Sequence, residues 1–296
     1  MGNVVLRPTR LPQHAPEHRP RKRKRGRLLR GFIVTVGAML LTTAVIKAND
    51  TFNIPGDRML GGVGASVPAS RCPDDMVFVS ASGGGFCIDR YEASAGKLCP
   101  HAAPTNQFES NDNLATTLCT SVSVPNVNPW VNIPRAQAME LCARAGKHLP
   151  TSGEWYRAAL GTPDTAAACV IARVGLAEAE KTGSLASCVS SSGAIDMVGN
   201  VWEWVDANVS DGMLAGTKLP TEGYVVEADT DGVPVRTAAQ GDEVFHKDYF
   251  FFDPEGVKGV FRGGFWSSGE KAGVYSTFAA SPSTFIGAAV GFRCAK

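Results

Sequence analysis

A chain of 296 residues has room for one large domain or two small ones besides an anchor, and its net charge of +1 conceals a strong asymmetry. Residues 1–30 hold ten Lys/Arg and one acidic residue, Glu17; of the chain's 29 basic and 28 acidic residues, 19 and 27 are left for the rest, a net of −8. An acidic body behind a basic head argues against nucleic acid as the body's partner.

The head, from Arg19 to Arg30, could by itself pass for a nucleic-acid patch. Its position decides otherwise, because Gly31 to Ile46 follow at once without a charge. Those sixteen residues fall short of the roughly twenty that span a bilayer. Extended from Leu28 through Ala48, the run reaches that length if Arg30 and Lys47 snorkel. Positive charge ahead of an apolar run holds the N-terminus inside. The expected organisation is a basic cytoplasmic tail over 1–30, a signal-anchor transmembrane helix over 31–48, a linker over 49–71 rich in Gly, Pro and Asn, and an extracellular domain over 72–296. That is a single-pass protein of the cell membrane. Cleavage after Ala48 is the competing outcome, although Ile46 at the −3 position is not the small residue preferred there.

All eight cysteines follow the anchor, none with Cys-x-x-Cys spacing. An even count in an exported domain reads as disulfides rather than zinc. Proximity in sequence suggests Cys72–Cys87, Cys99–Cys119 and Cys169–Cys188.

Met76 to Val79 read as a short strand, Gly83-Gly84-Gly85 as a turn and Phe86 to Asp89 as its sequel. Residues 94–128 read as loop. Asn132 is placed to cap a helix with Pro134 in its first turn, and Ala138, Leu141, Cys142 and Ala145 then give one buried face. Gly146 ends it. Thr151-Ser152-Gly153-Glu154 is a capping box opening a second helix that turns Trp155, Ala158 and Ala159 inward. Residues 161–192 are small and irregular, and 205–260 read as loop-rich. Asp229-Thr230-Asp231-Gly232 resembles the start of an EF-hand loop, but the downstream Glu and helical flanks are missing, so an Asp-Gly turn is expected. Trp202 and Trp204 are expected in the core; Arg90, Glu92 and Glu154 are expected as structural charge partners. The expected class is α+β, irregular, with much ordered loop.

The C-terminal segment opens with Phe261-Arg262-Gly263-Gly264 and closes with Gly291-Phe292-Arg293-Cys294, and no charge lies between Lys271 and Arg293. Its rings are interleaved with Ser, Thr, Ala and Gly. Two readings stay open: closing core strands, or a rigid frame displaying hydroxyls and rings in the manner of a paratope.

These motifs resemble the formylglycine-generating enzyme, or sulfatase-modifying factor, family. They are Cys142-x3-Gly146-Lys147-His148-Leu149-Pro150-Thr151-x2-Glu154-Trp155, then Gly199-Asn200-Val201-Trp202-Glu203-Trp204, then Arg262-Gly263-Gly264 and Gly291-Phe292-Arg293-Cys294. The resemblance implies a C-type-lectin-like fold and a Cys142–Cys294 disulfide. It implies a structural Ca²⁺ held by the Asp196 and Glu203 side chains and the Gly199 and Val201 carbonyls; the alternative is that Glu203 pairs with an arginine, such as Arg262. The family's oxidases bind copper through two cysteines whose positions hold Ser268 and Gly273 here, so no copper and no oxidase activity are expected. Ala159 and Phe278 stand where a second family disulfide would be. The His-x3-His-x-Glu site of related iron enzymes is absent, the body having only His101, His148 and His246.

A narrower pattern, Arg262-Gly263-Gly264-x-Trp266-x2-Gly269-x2-Ala272-Gly273-x-Tyr275, then Pro282-Ser283, resembles the variable proteins of diversity-generating retroelements. It implies a ligand-binding surface made of Phe265, Trp266, Ser267, Ser268, Glu270, Tyr275, Thr277, Phe278, Thr284 and Phe285. The implied ligand is a protein or glycan on another cell or a phage. An oxidase-like enzyme with altered chemistry and a structural envelope protein are the other readings.

Overall fold

The computed structural model describes residues 72–296 apart from 82, 174, 176 and 177. The tail, the anchor over 31–48 and the linker over 49–71 lie outside the described residues. Among the described residues no helix is long and apolar enough to cross a membrane.

The domain opens with an antiparallel hairpin, β1 (Met76–Ala81) and β2 (Gly84–Asp89), turning at positive-φ Gly83. β3 (Ala93–Ala95) pairs with β4 (Ser121–Ser123) across a loop that carries α1 (Gln107–Ala115). α1 corrects the expectation of loop over 94–128. Asn106 caps it by accepting from the Glu109 amide, but its buried residues are Ser110 and Asn113, so no apolar stripe marks it in the sequence. α2 (Arg135–Arg144) buries Ala138, Leu141 and Cys142 as expected. Its N-cap position is Pro134, not Asn132, whose side chain donates to the Thr105 carbonyl at 2.8 Å. α3 (Ser152–Ala159) has the full Thr151–Glu154 capping box and buries Trp155, Ala158 and Ala159.

The segment expected to be loop-rich is instead the main sheet. β5 (Trp202–Ser210), β6 (Met213–Leu214), β7 (Thr217–Lys218), β8 (Gly223–Ala228), β9 (Pro234–Ala238), β10 (Tyr249–Phe252) and β11 (Val257–Gly263) fall within 202–263. β12 (Gly273–Ala279) and β13 (Val290–Gly291) complete it. The order is β7-β6-β5-β11-β12-β10-β8-β9, with β13 parallel to β5. Most of these strands are short, so no long alternating run announces them. Asp229 and Gly232 form the expected tight turn, with two backbone amides donating to Asp229 Oδ1.

Both faces of the central strands β5 and β11 are covered, which is why they carry apolar side chains on alternate sides. Val205, Val209, Phe250 and Val260 face a core shared with Trp155, Val77 and Val79. Trp202, Trp204 and Phe261 face a second core with Leu141, Trp130 and Phe292. At Gly259 a Cβ would stand 2.6 Å from the Trp204 ring, so only glycine lets β11 lie this close. Disulfides Cys72–Cys87, Cys99–Cys119, Cys142–Cys294 and Cys169–Cys188 account for all eight cysteines.

Candidate ligand-binding face

Two buried arginines hold the C-terminal segment in place. Arg262 donates to Ser152 Oγ at 2.6 Å and to the Gly232 and Val274 carbonyls at 2.9 and 3.0 Å, and lies over the Trp155 ring at 5.2 Å. Burial pushes its guanidinium down to about 10. Arg293 donates to both oxygens of Glu203 at 2.6 and 2.8 Å and to the Asp89 and Ile195 carbonyls at 3.0 and 2.8 Å. One side chain thereby ties β5, the end of β2 and the 195–199 loop to the C-terminus.

This geometry corrects the role expected of Glu203. Its carboxylate takes the Arg293 fork and also accepts from Trp155 Nε1 at 2.6 Å. A carboxylate so occupied, with a guanidinium against it, does not fit a Ca²⁺ ligand. The arginine partner is Arg293, not Arg262. Asp196 is different: Oδ2 accepts from the Gly183 amide at 2.6 Å while Oδ1 is buried without a partner. Burial raises its carboxyl to about 6. Glu92, fully buried, accepts from Asn200 Nδ2 at 2.8 Å and from the Val201 amide. Among the described residues no three His, Cys, Asp or Glu side chains are grouped to hold a metal ion.

The two copper positions do not fit that metal either. Ser268 Oγ accepts from the Phe265 amide at 2.9 Å. At Gly273 a Cβ would collide with the Asp248 carboxylate, which fills the space a cysteine would need.

The side chains expected to form one ligand surface divide into groups. Trp266 is buried against Val170 and Val201, and Thr277 is buried with its hydroxyl donating to the Tyr275 carbonyl; both serve the fold, which corrects their assignment. Tyr275 packs on Tyr156 at 5.5 Å and Phe245 at 4.9 Å, with the first core. Ser267, Glu270 and Thr284 are exposed, and Ser268 is half-buried. Phe265, Phe278 and Phe285, with an edge of Trp266, meet around a cavity of about 320 Å³ completed by Trp202, Phe261 and the 287–290 backbone turn.

From that cavity a file of rings crosses the sheet. Phe285 is 6.2 Å from Phe261, which stacks on Phe278 at 4.5 Å; Phe278 stacks on Phe251 at 5.5 Å. Tyr249 lies 4.6 Å from Phe251 and 5.0 Å from Tyr224. Lys271 Nζ sits 4.0 Å above Tyr249. Phe261 is buried, Phe285 is exposed, and the other four rings are half-buried. Sequence reasoning missed Trp202, Tyr224, Tyr249, Phe251, Phe261 and Lys271 as members. The signal was the Tyr249-Phe250-Phe251-Phe252 run, in which strand alternation sends Phe250 and Phe252 to the first core and leaves Tyr249 and Phe251 on the other face.

A two-core sheet with few short helices, closed by a disulfide from α2 to the C-terminus, defines a C-type-lectin-like α+β domain of the formylglycine-generating-enzyme type. The chain belongs to the family of the sulfatase-modifying factor enzyme 1-like domain, whose pattern covers residues 80–296. No curated protein is similar to it by sequence. Among solved structures it is similar to the Major Tropism Determinant P3c variant, at 16% identity and a TM-score of 0.42, over 76% of this chain and 52% of that one. The chain thus spans about half the length of that relative. It is similar to Treponema denticola variable protein 1 at 14% identity and a TM-score of 0.41, over 74% of this chain and 90% of the other. For PvdO from Pseudomonas aeruginosa the identity is 17% and the TM-score 0.39, over 72% and 80%.

Proposed function

We propose that this chain is an exported, membrane-anchored binding protein that presents an aromatic face, built largely by its C-terminal segment, to a protein or glycan on another cell or a phage. The observation that carries this reading is the file of rings running from Phe285 to Tyr224, only one of them fully buried, beside an apolar cavity. Rings offer a large apolar area at little conformational cost, and they dominate interface energetics when a partner covers them. Ser267, Thr284 and Glu270 stand exposed in the loops between the strands and supply adaptable polar contacts. The reading is of a binder rather than an oxidase: the resemblance to the family puts Ser268 and Gly273 where its copper cysteines would be, and every cysteine is in a disulfide. Anchoring rests on the uncharged run after the basic head, and export is supported by the disulfides. The likeness of the Arg262-to-Arg293 pattern to retroelement variable proteins makes its exposed positions candidates for diversification.

The test is binding by cells that display the full chain, against immobilised glycans and against candidate target cells. The unmutated chain should retain a target that Phe251→Ser with Phe285→Ser loses, with both forms displayed equally. Retention by the double variant would remove the aromatic face from the account. A reverse transcriptase gene beside this one, with a near-copy of the codons for 262–294, is the expected genomic counterpart of diversification.

A further inference from the structure

Of the eight asparagines in residues 72–296, Asn208 alone opens the pattern Asn-x-Ser/Thr with x other than proline, as Asn208-Val209-Ser210. This is the acceptor pattern of N-linked glycosylation, a surface modification of exported proteins. Asn208 lies near the end of β5. Strand alternation turns Val205, Ala207 and Val209 to the first core and leaves Asp206, Asn208 and Ser210 exposed on the opposite face. The acceptor amide and the hydroxyl it requires are therefore neighbours on one open face. Among the described residues neither side chain is hydrogen-bonded, whereas Asp206 is held by Arg135 at 2.9 Å and Asn200 is buried on Glu92. The residue paired with Asn208 on β11 is Gly259, so no side chain stands beside it from that strand. On the other side β6 pairs with Val209 and Ser210 and stops short of Asn208. Asparagine is depleted from strands, and packing gives this one no reason to be here.

We propose that Asn208 is N-glycosylated during export. The donor is an oligosaccharide joined to a lipid through pyrophosphate, and a membrane transferase carries out the step. Asn208 Nδ2 attacks the anomeric carbon of the sugar. The carbon–nitrogen bond forms, the bond from that carbon to the phosphate oxygen breaks, the amide gives up one proton, and the lipid pyrophosphate leaves. Transfer precedes the folding of β5, because a strand hydrogen-bonded to β11 is not free to bend into a transferase. The folded domain then accommodates the sugar, since Asn208 is exposed. This inference rests on the export proposed above and does not depend on the aromatic face.

The experiment isolates the full chain from the membranes of the cells that produce it and maps its peptides by mass spectrometry. Protease added to intact cells checks export independently. The peptide holding Asn208 should carry a glycan, and an amidase that cleaves the bond between sugar and asparagine should leave aspartate at that position. Asn208→Gln and Ser210→Ala should each lose the modification, and Ser210→Thr should keep it. Both positions are exposed, so these variants should reach the surface in the amount of the unmutated chain. The proposal is overturned by an unmodified Asn208 peptide, or by a glycan retained there in Ser210→Ala. It is equally overturned by a glycan confined to Asn49-Asp50-Thr51, the same pattern outside the described residues. If Asn208 is unmodified and the domain is open to protease, export stands and this inference alone fails; a domain closed to protease removes both.

Discussion

Glu203 and Asp196 lie in the same motif, and the structure gives them opposite electrostatic situations. Glu203 is matched by Arg293, both at 1% exposure or less. Removing one member of such a buried pair strands the other and costs about 3–5 kcal/mol. Glu203→Gln should therefore lower the urea midpoint by an amount in or near that range, and by the same amount in calcium and in chelator. A loss seen only in calcium buffer would return Glu203 to a metal. Asp196 is raised from 3.8 to about 6, first by burial, so the folded state holds its proton more tightly than the unfolded state does. Its contribution to stability is complete below pH 3.8 and is lost as the pH climbs through 6. Across that window the slope from one group is at most about 1.4 kcal/mol per pH unit. Glu92 and Asp248 are also raised by burial and act in the same direction. Urea unfolding between pH 4 and pH 7 should show stability falling with pH, and Asp196→Asn should flatten the curve. A curve of the same steepness in that variant would place the effect elsewhere. The importance of both residues was legible in the Gly199-to-Trp204 motif. Which one had a counter-charge was not, because Arg293 lies 90 residues away in sequence.

At the scale of elements, the two central helices were legible because each combines a local start or stop signal with a buried face. α3 has its capping box and Trp155; α2 has Leu141, Cys142 and the positive-φ Gly146. α1 and most of the main sheet were not, for a shared reason. Their apolar content is set by what covers them, so α1 buries Ser110 and Asn113, and β6 and β7 are two residues each. The sheet depends on close strand approach at Gly259, where an added methyl meets the Trp204 ring at 2.6 Å and the Ser283 backbone at 3.0 Å. Gly259→Ala should destabilise by about 1–3 kcal/mol, the usual penalty for overpacking. A melting temperature equal to that of the unmutated chain would mean that β5 and β11 can separate without loss. The Cys142–Cys294 bridge acts on a longer loop, closing 152 residues between α2 and the C-terminus. Replacing both cysteines by Ala should cost about 2–5 kcal/mol in equilibrium unfolding.

For the molecule as a whole, the residues along the C-terminal segment divide between buried and exposed, so that the core-strand reading holds for the first group and the proposed display can rest only on the second. Phe261, Trp266 and Thr277 belong to the core, whereas Phe285, Ser267 and Glu270 face solvent. The same division should govern where the chain stands in the cell. Ten basic residues in the first thirty, an uncharged run, and an acidic domain with four disulfides are what support the proposed anchoring and export. Protease added to intact cells should then reach the domain over 72–296 and spare the residues before the apolar run. An antibody against residues 1–30 should detect a protected fragment, and one against the domain should lose its signal. Thiol-reactive reagent added outside should label the domain only after reduction, because its eight cysteines are paired. A body that resists protease until the cells are lysed would reverse the orientation, and labelling before reduction would show that the bridges have not formed in the compartment where the chain resides.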